Sequence, residues 1–253
     1  MPKMYFDRNI KNFRISTNKQ KIDLLKKFKV DFVIIKKFNK NFSKIKSIEF
    51  IEKKKKKKLE AKFIFVSNNF RFGNKREGDV KELIKYEKRF HYKIIKPKPL
   101  IKKRKTVSSS LIRSYLQKGK LEEVNKLLNR KWSIEGRVQK GKQLGKKIGF
   151  PTANIDIKDY VLACPGVYAV RVKMKNISKT IKGIANLGYR PTFNEKKILL
   201  EVHLFNFYGN LYNKELTVEF LKFIRKEKKF KNVDQLKKQI KNDLLVAKNT
   251  KWV

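Results

Sequence analysis

The densest set of residues that could perform chemistry lies in one segment, residues 136–155, which is rich in glycine and lysine. Glycine has no Cβ, so its backbone N–H groups can approach an anion closely and can adopt positive φ angles. Clustered N–H donors suit the oxygens of a polyphosphate, and neighbouring lysines add positive charge. The residues concerned are Gly136, Gly141, Gly145 and Gly149, with Lys140, Lys142, Lys146 and Lys147. The glycine spacing alone fits hairpin turns and bulges equally well, and it matches neither a Walker motif nor GxGxxG.

Two polar side chains follow these glycines at a spacing that places them on one face of an extended segment. Thr152 offers a hydroxyl and Asn154 an amide oxygen, and alternate residues of a strand point the same way. Hard oxygen ligands of this kind suit Mg²⁺, which binds a few protein oxygens and completes its shell with phosphates and water. Thr152 and Asn154 are therefore candidate ligands of a metal–phosphate complex.

A carboxylate stands in an otherwise apolar strand about fifty residues further on, in LLEVHLFNF. Val202 and Leu204 point to one face of this strand, and Glu201 and His203 point to the other. Burying a carboxylate costs free energy, so a carboxylate within an apolar strand indicates a function. Glu201 is therefore a candidate general base. The alternative is a solvent-facing glutamate on a one-sided strand. His203 is expected to be structural, and no catalytic role is assigned to it.

The net charge is extreme, with 67 Lys+Arg against 22 Asp+Glu and a formal value of +45. One alternative is therefore a basic RNA- or DNA-binding protein, which would bind tightly even at physiological salt. The sequence contains 12 arginines and 55 lysines, whereas proteins that read bases and phosphates favour arginine. Lysine, asparagine, isoleucine and phenylalanine are abundant along the whole chain, which indicates a compositional bias. We expect no specific nucleic-acid partner.

The composition also limits the cellular setting. No apolar run is long enough to span a membrane, and the first residues lack the apolar region of a secretion signal. The single cysteine, Cys164, excludes an internal disulfide and a cysteine-based metal cluster. A cytoplasmic protein without a membrane partner is expected, and the sequence does not indicate an oligomeric state.

The secondary structure predicted to position these residues differs between the two halves of the chain. The first half alternates helices with short apolar strands, which predicts a parallel sheet with helical crossovers. A capping-box pair, Thr17 and Gln20, predicts the start of one helix. Helices are expected over residues 17–28, 47–61, 79–90, 109–117 and 121–128, and strands over residues 31–35, 62–66 and 92–95.

From Ser133 onward the strands lie close together and are separated by turns, which predicts an antiparallel barrel or sandwich. Apolar residues at helical spacing predict a final helix over residues 233–247. We place the domain boundary near residues 129–131, so that residues 1–130 and 131–253 form separate domains.

Five ordered blocks of the second half resemble the riboflavin kinase family: residues 136–155 with GFPTAN, 166–170 (GVYAV), 186–193 (NLGYRPTF), 200–207 (LEVHLFNF) and 219–230 (EFLKFIRKEKKF). The resemblance implies a six-stranded antiparallel β-barrel with a C-terminal helix, which phosphorylates riboflavin to FMN with ATP and Mg²⁺. It assigns Thr152 and Asn154 to Mg²⁺ and ATP phosphate. It assigns the glycine segment, including Gly141, Gly145 and Gly149, to the nucleotide. Glu201 becomes the base, and Arg225 lies in a mobile loop that closes near the flavin.

The chain departs from the kinase pattern after the catalytic strand. Where the family often has Asp-x-x-Gly-Asp-Leu-Tyr-Gly, residues 206–213 read NFYGNLYN. Two carboxylates are replaced by Asn206 and Asn210, and one glycine is lost. The shape of the loop is expected to persist without those charges.

The first half resembles the FAD synthetase (FMN adenylyltransferase) domain that precedes this kinase in bifunctional bacterial enzymes. The matching residues are VSNNFRFGNKREGD (66–79) and VSSSLIR (107–113). The resemblance implies an incomplete Rossmann-like nucleotidyltransferase domain, with Ser108, Ser109 and Arg113 as a remnant of its ATP-phosphate site at a helix N-terminus. Serines that merely cap an amphipathic helix are the alternative. Ser67 and Asn69 replace the family's glycine and aspartate.

The family's GxFDGxHxGH motif has no counterpart in this sequence. Its two histidines are His91 and His203, and neither has that context. We expect a truncated, mis-started or degenerate first domain with weak or absent FAD synthesis. The alternative is a bifunctional enzyme whose true start lies upstream.

Overall fold

The computed structural model describes residues 2–7, 9–10, 12–52, 60–141, 143–157, 160–174, 177–191 and 196–250. It divides into two compact units, each with its own hydrophobic core: Met1–Ile10 with Phe32–Val107, and Lys11–Asp31 with Ser108–Val253. The second unit contains the predicted barrel domain together with residues 11–31 and 108–130. The predicted boundary near residues 129–131 was drawn where the pattern of helices and strands changes. That this boundary separates two functional domains stays a prediction.

The elements are numbered in chain order. The helices are α1 (Pro2–Phe6), α2 (Asn18–Lys27), α3 (Lys40–Ser43), α4 (Ser47–Phe50), α5 (Val80–Lys85), α6 (Glu87–Phe90), α7 (Ser109–Gln117), α8 (Leu121–Leu128), α9 (Leu144–Lys147) and α10 (Val233–Lys248), with a 3₁₀ turn at Asn74–Arg76. The strands are β1 (Phe63–Phe65), β2 (Lys93–Ile95), β3 (Ile101–Lys102), β4 (Lys105–Thr106), β5 (Trp132–Gln139), β6 (Ala153–Asp156), β7 (Gly166–Met174), β8 (Ile177–Pro191), β9 (Lys196–Leu204) and β10 (Glu215–Lys226).

In the first unit, β1 and β2 form a two-stranded parallel sheet, as the alternation of helices and strands predicted. The central residues of the two strands, Ile64 and Ile94, are paired and buried. They pack with Leu83 of α5 and Phe90 of α6. A short antiparallel hairpin, β3–β4, follows near the end of this unit.

Three expectations for this unit were wrong or incomplete. Residues 31–35 form no strand, and Phe32 is 88% exposed, because this run pairs with neither β1 nor β2, which pair only with each other among the described strands. The helix predicted over residues 79–90 is two helices, since Tyr86 has non-helical dihedral angles. The helix predicted over residues 47–61 has α4 at its start, and residues 53–59 lie outside the described residues.

The second unit is dominated by a closed antiparallel barrel of six strands, in the order β10-β5-β6-β9-β8-β7. This confirms the predicted fold. Alternate residues of each strand point inward, and the inward set is apolar, as the period-two pattern requires. The bulkiest fully buried side chains, Trp132, Tyr168 and Phe220, pack with ring centroids 4.7 Å (Trp132–Phe220) and 5.1 Å (Tyr168–Phe220) apart. The barrel interior is therefore a packed core, and polar side chains must lie on its outer face.

Helix α2 begins at the predicted capping box. Thr17 accepts a hydrogen bond from the Gln20 backbone N–H, and the Gln20 side chain accepts one from the Thr17 backbone N–H. The Gln20 amide also donates to the Ser133 carbonyl on β5, at 3.1 Å. The Trp132 indole donates to the Ile15 carbonyl at 2.9 Å. These bonds explain why residues 11–31 belong to the barrel unit.

Helices α7 and α8 have the predicted bounds and pack beside the barrel. Leu121 and Val124 of α8 are buried in the barrel's core cluster. The Asn125 amide donates to the Phe220 carbonyl at 3.0 Å and accepts from the Trp132 N–H at 2.7 Å. Both polar ends of this half-buried amide are thus satisfied.

Candidate active site

The central feature of the site is a cross-strand pair. In the β6–β9 ladder, Asn154 lies directly opposite Glu201. Directly opposed residues in an antiparallel pair have Cα atoms about 5 Å apart and side chains on the same face. Their neighbours Ala153, Ile155 and Val202 are buried in the core, so Asn154 and Glu201 lie together on the outer face of the barrel.

Asn154 is a buried amide with an unsatisfied oxygen. It is only 7% exposed, although it lies on the outer face. The cover comes from Gly141, because a Cβ added to Gly141 would collide with Nδ2 of Asn154. Within the described residues, Oδ1 of Asn154 has no hydrogen-bond partner. A buried acceptor without a partner costs about 1–3 kcal/mol, so this oxygen is suited to receive a ligand.

The loop before β6 also requires its other glycines. A Cβ added to Gly145 would collide with the Phe150 carbonyl and would lie 3.4 Å from Oγ1 of Thr152. The Phe150 N–H donates to the Gly145 carbonyl at 2.7 Å, which turns the chain back toward β6. Gly149 has a φ of +90°, a left-handed conformation that favours glycine. The glycines therefore shape the loop around Thr152 and Asn154, and Lys142 lies outside the described residues.

Glu201 is half-buried, and its carboxylate makes no hydrogen bond or ion pair within the described residues. On its other side, in the β8–β9 ladder, it is paired with Asn186. The carboxylate thus stands between two carboxamides, Asn154 on β6 and Asn186 on β8. A free carboxylate in this position can accept a proton from a bound hydroxyl.

His203 lies two residues beyond Glu201 on the same strand face. Its Nδ1 lies 2.8 Å from the carbonyl oxygen of Pro151, the residue before Thr152. The imidazole ring also makes an edge contact with Phe150, with ring centroids 5.9 Å apart. This contact joins the strand of Glu201 to the loop that ends at Asn154.

Arg225 is held by an ion pair near the end of β10. Its Nε lies 2.9 Å from both carboxylate oxygens of Asp243 on α10, and its Nη2 lies 2.7 Å from Oδ2. Asp243 is 3% exposed and also accepts from the Gln239 amide at 2.9 Å. Through the ladders, Arg225 is opposite Val167, which is opposite Asn186. Arg225 therefore lies along the same barrel row as Glu201, but Asp243 occupies its guanidinium.

We expect Asp243→Ala to lower the free energy of unfolding by about 2–3 kcal/mol, because it leaves the Arg225 cation without its buried partner. Urea unfolding followed by circular dichroism measures this loss. The matched control is Asp234→Ala, in the exposed first turn of the same helix. Its loss should stay below about 1 kcal/mol. Equal losses in the two variants would show that the ion pair does not stabilise the fold.

The predicted remnant of the second ATP site lies around the start of α7. Ser108 caps this helix, with its hydroxyl accepting from the Leu111 N–H at 3.2 Å, and Ser109 is its first residue. The Arg113 Nε donates to the Phe13 carbonyl at 2.9 Å, and its Cζ lies 3.6 Å from the centre of the Phe13 ring. Burial lowers the pKa of Arg113 below its ordinary value. Its Nε and planar face are thus engaged within the barrel unit.

The sequence did not reveal that Asn186 is a cross-strand partner of Glu201. It also assigned no role to His203. The pairing of Asn186 depends on strand register, which a single sequence does not display. His203 carried a usable signal, because it shares a strand face with Glu201. Within the described residues, no group of three or more His, Cys, Asp or Glu side chains could hold a metal ion. A metal here would depend on hydroxyl, amide and phosphate oxygens.

Comparison with known proteins gives a consistent result for both halves. The riboflavin kinase family model matches residues 128–251, and the FAD synthetase family model matches residues 1–111. None of the helices in the described part of the chain is long and apolar enough to cross a bilayer.

The curated relatives match nearly the whole chain. The bifunctional riboflavin kinase/FMN adenylyltransferase of Buchnera aphidicola subsp. Schizaphis graminum is 39% identical over 238 residues, covering 93% of this chain and 76% of the relative. The enzyme of the same name from Haemophilus influenzae is 39% identical over 247 residues, covering 98% and 80%. A crystal structure described as a macrolide-efflux protein from Streptococcus pneumoniae superposes with a TM-score of 0.82 at 28% identity, covering 94% and 76%. The chain belongs to the family of bifunctional riboflavin kinases/FMN adenylyltransferases.

Proposed function

We propose that the barrel transfers the γ-phosphoryl group of ATP to the terminal ribityl hydroxyl of riboflavin, giving FMN and ADP. The observation that carries this proposal is the register that sets Asn154 opposite Glu201 on one barrel face. The match of residues 128–251 to the riboflavin kinase family supports the choice of substrate. Phosphoryl transfer depends mainly on alignment and charge neutralisation, which a fixed pair of strands can provide.

The residues present fit a magnesium ion carried by the nucleotide. The buried Oδ1 of Asn154 has no partner among the described residues, and Thr152 contributes a hydroxyl two residues earlier. Thr152 and Asn154 would hold Mg²⁺, together with phosphate oxygens and water. The ion, when bound, neutralises charge on the phosphates.

The chain's own groups perform the remaining tasks. The N–H groups of the loop containing Gly141, Gly145 and Gly149 approach the phosphates, because no side chain stands in their way. The Glu201 carboxylate accepts the proton of the ribityl hydroxyl as that oxygen bonds to the γ-phosphorus and the bond to ADP breaks. The proton on Glu201 then passes to water, which restores the carboxylate.

Arg225 would act on the flavin side of the site. It is the second-last residue of β10, and its ion pair with Asp243 ties the end of this strand to α10. From this position Arg225 would shape the segment that covers the flavin, while its guanidinium stays bound to Asp243. The loop at residues 206–213, with Asn206 and Asn210, carries amides where carboxylates are frequent in the family.

The deciding experiment incubates the chain with riboflavin, ATP and Mg²⁺ and separates riboflavin, FMN and FAD by chromatography. We expect FMN to accumulate with one ADP formed per FMN, and to cease when EDTA removes the metal. Unchanged riboflavin under all conditions would overturn the proposal.

FMN adenylylation is the second candidate activity, because the FAD synthetase model matches residues 1–111. We expect little FAD in the same chromatogram, since the Nε of Arg113 and its planar face are already engaged by Phe13. Rapid conversion of added FMN to FAD would contradict this expectation and favour a bifunctional chain.

A further inference from the structure

We infer that His203 is a positioning residue for the nucleotide: its imidazole fixes the loop that binds Mg·ATP to the strand that carries the base. This inference rests on the proposed kinase function. It assigns a task to a side chain that the mechanism above does not use. The role is indirect, because His203 contacts the backbone of Pro151 and not the proposed metal ligands.

The position of His203 in the ladders is the first step. Glu201 and His203 are alternate residues of β9, so they point to the same outer face of the barrel. The register pairs Val202 between them with Ala153, the first residue of β6. Continued by one residue, this register sets His203 opposite Thr152, the last residue of the loop before β6.

The chemistry of the contact is the second step. Nδ1 of His203 lies 2.8 Å from the Pro151 carbonyl oxygen, and a carbonyl can only accept a hydrogen bond. Nδ1 must therefore carry the proton and donate. In the neutral ring this requires the Nδ1–H tautomer, with Nε2 unprotonated.

The surroundings of the ring are the third step. Phe150 meets the imidazole edge-on, with the two ring centroids 5.9 Å apart. The ring centroid of Phe205, two residues after His203, lies 6.2 Å from that of the imidazole. The Phe150 N–H is itself bound to the Gly145 carbonyl. A hydrogen bond and an aromatic contact thus fix Phe150 and Pro151 against β9, and Thr152 and Asn154 follow directly from this fixed point.

Substitutions that mimic one ring nitrogen at a time test the inference. Asparagine places an N–H where Nδ1 stands, whereas glutamine reaches only the position of Nε2. We expect His203→Ala and His203→Gln to raise the dissociation constant of Mg·ADP and the KM of Mg·ATP about tenfold, the effect of about one lost hydrogen bond. His203→Asn should restore both to within about threefold, and riboflavin affinity should change little in all three variants.

The ring itself provides a second readout that does not depend on activity. The sequence holds two histidines, so a two-bond ¹H–¹⁵N correlation spectrum resolves His203 with His91→Asn as the assignment control. His91 has a φ of +52° at the end of α6, where asparagine is tolerated. At a pH where imidazole rings are neutral, we expect the Nδ1–H tautomer for His203.

The outcomes separate this inference from the proposed function. If the wild-type chain forms FMN, but His203→Ala binds Mg·ADP as wild type does, the positioning role is refuted and the kinase proposal stands. An Nε2–H tautomer at His203 would also refute it. If the wild-type chain forms no FMN but shows the Nδ1–H tautomer and the loss and rescue of Mg·ADP binding, the kinase proposal fails and the loop-fixing role stands.

Discussion

Glu201→Gln is expected to lower kcat for FMN formation by about 10²-fold or more, the usual contribution of a positioned general base. Glutamine keeps the size and the hydrogen-bonding shape of the side chain but cannot accept the ribityl proton. Mg·ATP affinity should change little, because the proposed nucleotide site is the loop before β6 and does not include Glu201. Rapid-quench measurement of ADP and FMN gives kcat, and calorimetric titration with Mg·ADP gives the affinity.

The matched control is Glu219→Gln, a second glutamate within a barrel strand. Glu219 lies on β10, where its carboxylate is paired with Arg171 at 2.7 Å and with Lys173. Its loss should lower stability but leave kcat within about twofold, since β10 pairs with neither β6 nor β9, the strands of Asn154 and Glu201. Near-normal turnover in Glu201→Gln would remove Glu201 from the role of base.

Asn154→Leu is expected to reduce kcat/KM for Mg·ATP by about 10²-fold, because it removes the oxygen that we propose binds the metal on the phosphates. The same change should leave the free energy of unfolding unaltered or raise it by about 1 kcal/mol. The reason is that Oδ1 of Asn154 is buried without a partner among the described residues, so the fold gains nothing from it. Steady-state kinetics and urea unfolding without nucleotide measure the two effects.

Asn125→Leu is the control for that prediction, with the same substitution at an amide whose two ends are satisfied. Its Nδ2 and Oδ1 bind Phe220 and Trp132. We expect it to lose about 2–3 kcal/mol of unfolding free energy, because two buried backbone groups lose their partner. If Asn154→Leu destabilised the chain as much as Asn125→Leu while retaining activity, Asn154 would be a structural residue.

Local patterns in the sequence predicted much of the fold. Features that depend on a few neighbouring residues were predicted well. They are the Thr17–Gln20 capping box, the bounds of α7 and α8, and the start of closely spaced strands at Ser133. Residues 31–35 show the limit of such signals, because an apolar run is a strand only when it pairs with another strand, and its own residues do not determine that pairing. The break at Tyr86 is a property of the local dihedral angles that periodicity does not display.

The site was harder to predict, because its geometry depends on contacts between distant segments. The sequence singled out Asn154 and Glu201, but the register that brings them together arises from the closure of the barrel. Arg225 was visible in its motif, whereas its partner Asp243 lies eighteen residues further on, in a helix. The large positive charge kept a nucleic-acid-binding protein as an alternative, and the family comparisons place the chain among bifunctional riboflavin kinases/FMN adenylyltransferases instead.

A crystal structure with Mg·ADP and FMN bound together tests the arrangement on which all of this depends. We predict that a carboxylate oxygen of Glu201 will lie within hydrogen-bonding reach, about 3 Å, of the oxygen that joins the ribityl chain to its phosphate. The nucleotide phosphates should meet the side chains of Thr152 and Asn154 on the adjacent strand. A complex in which flavin or nucleotide occupies another face of the barrel, away from Glu201, would contradict the account.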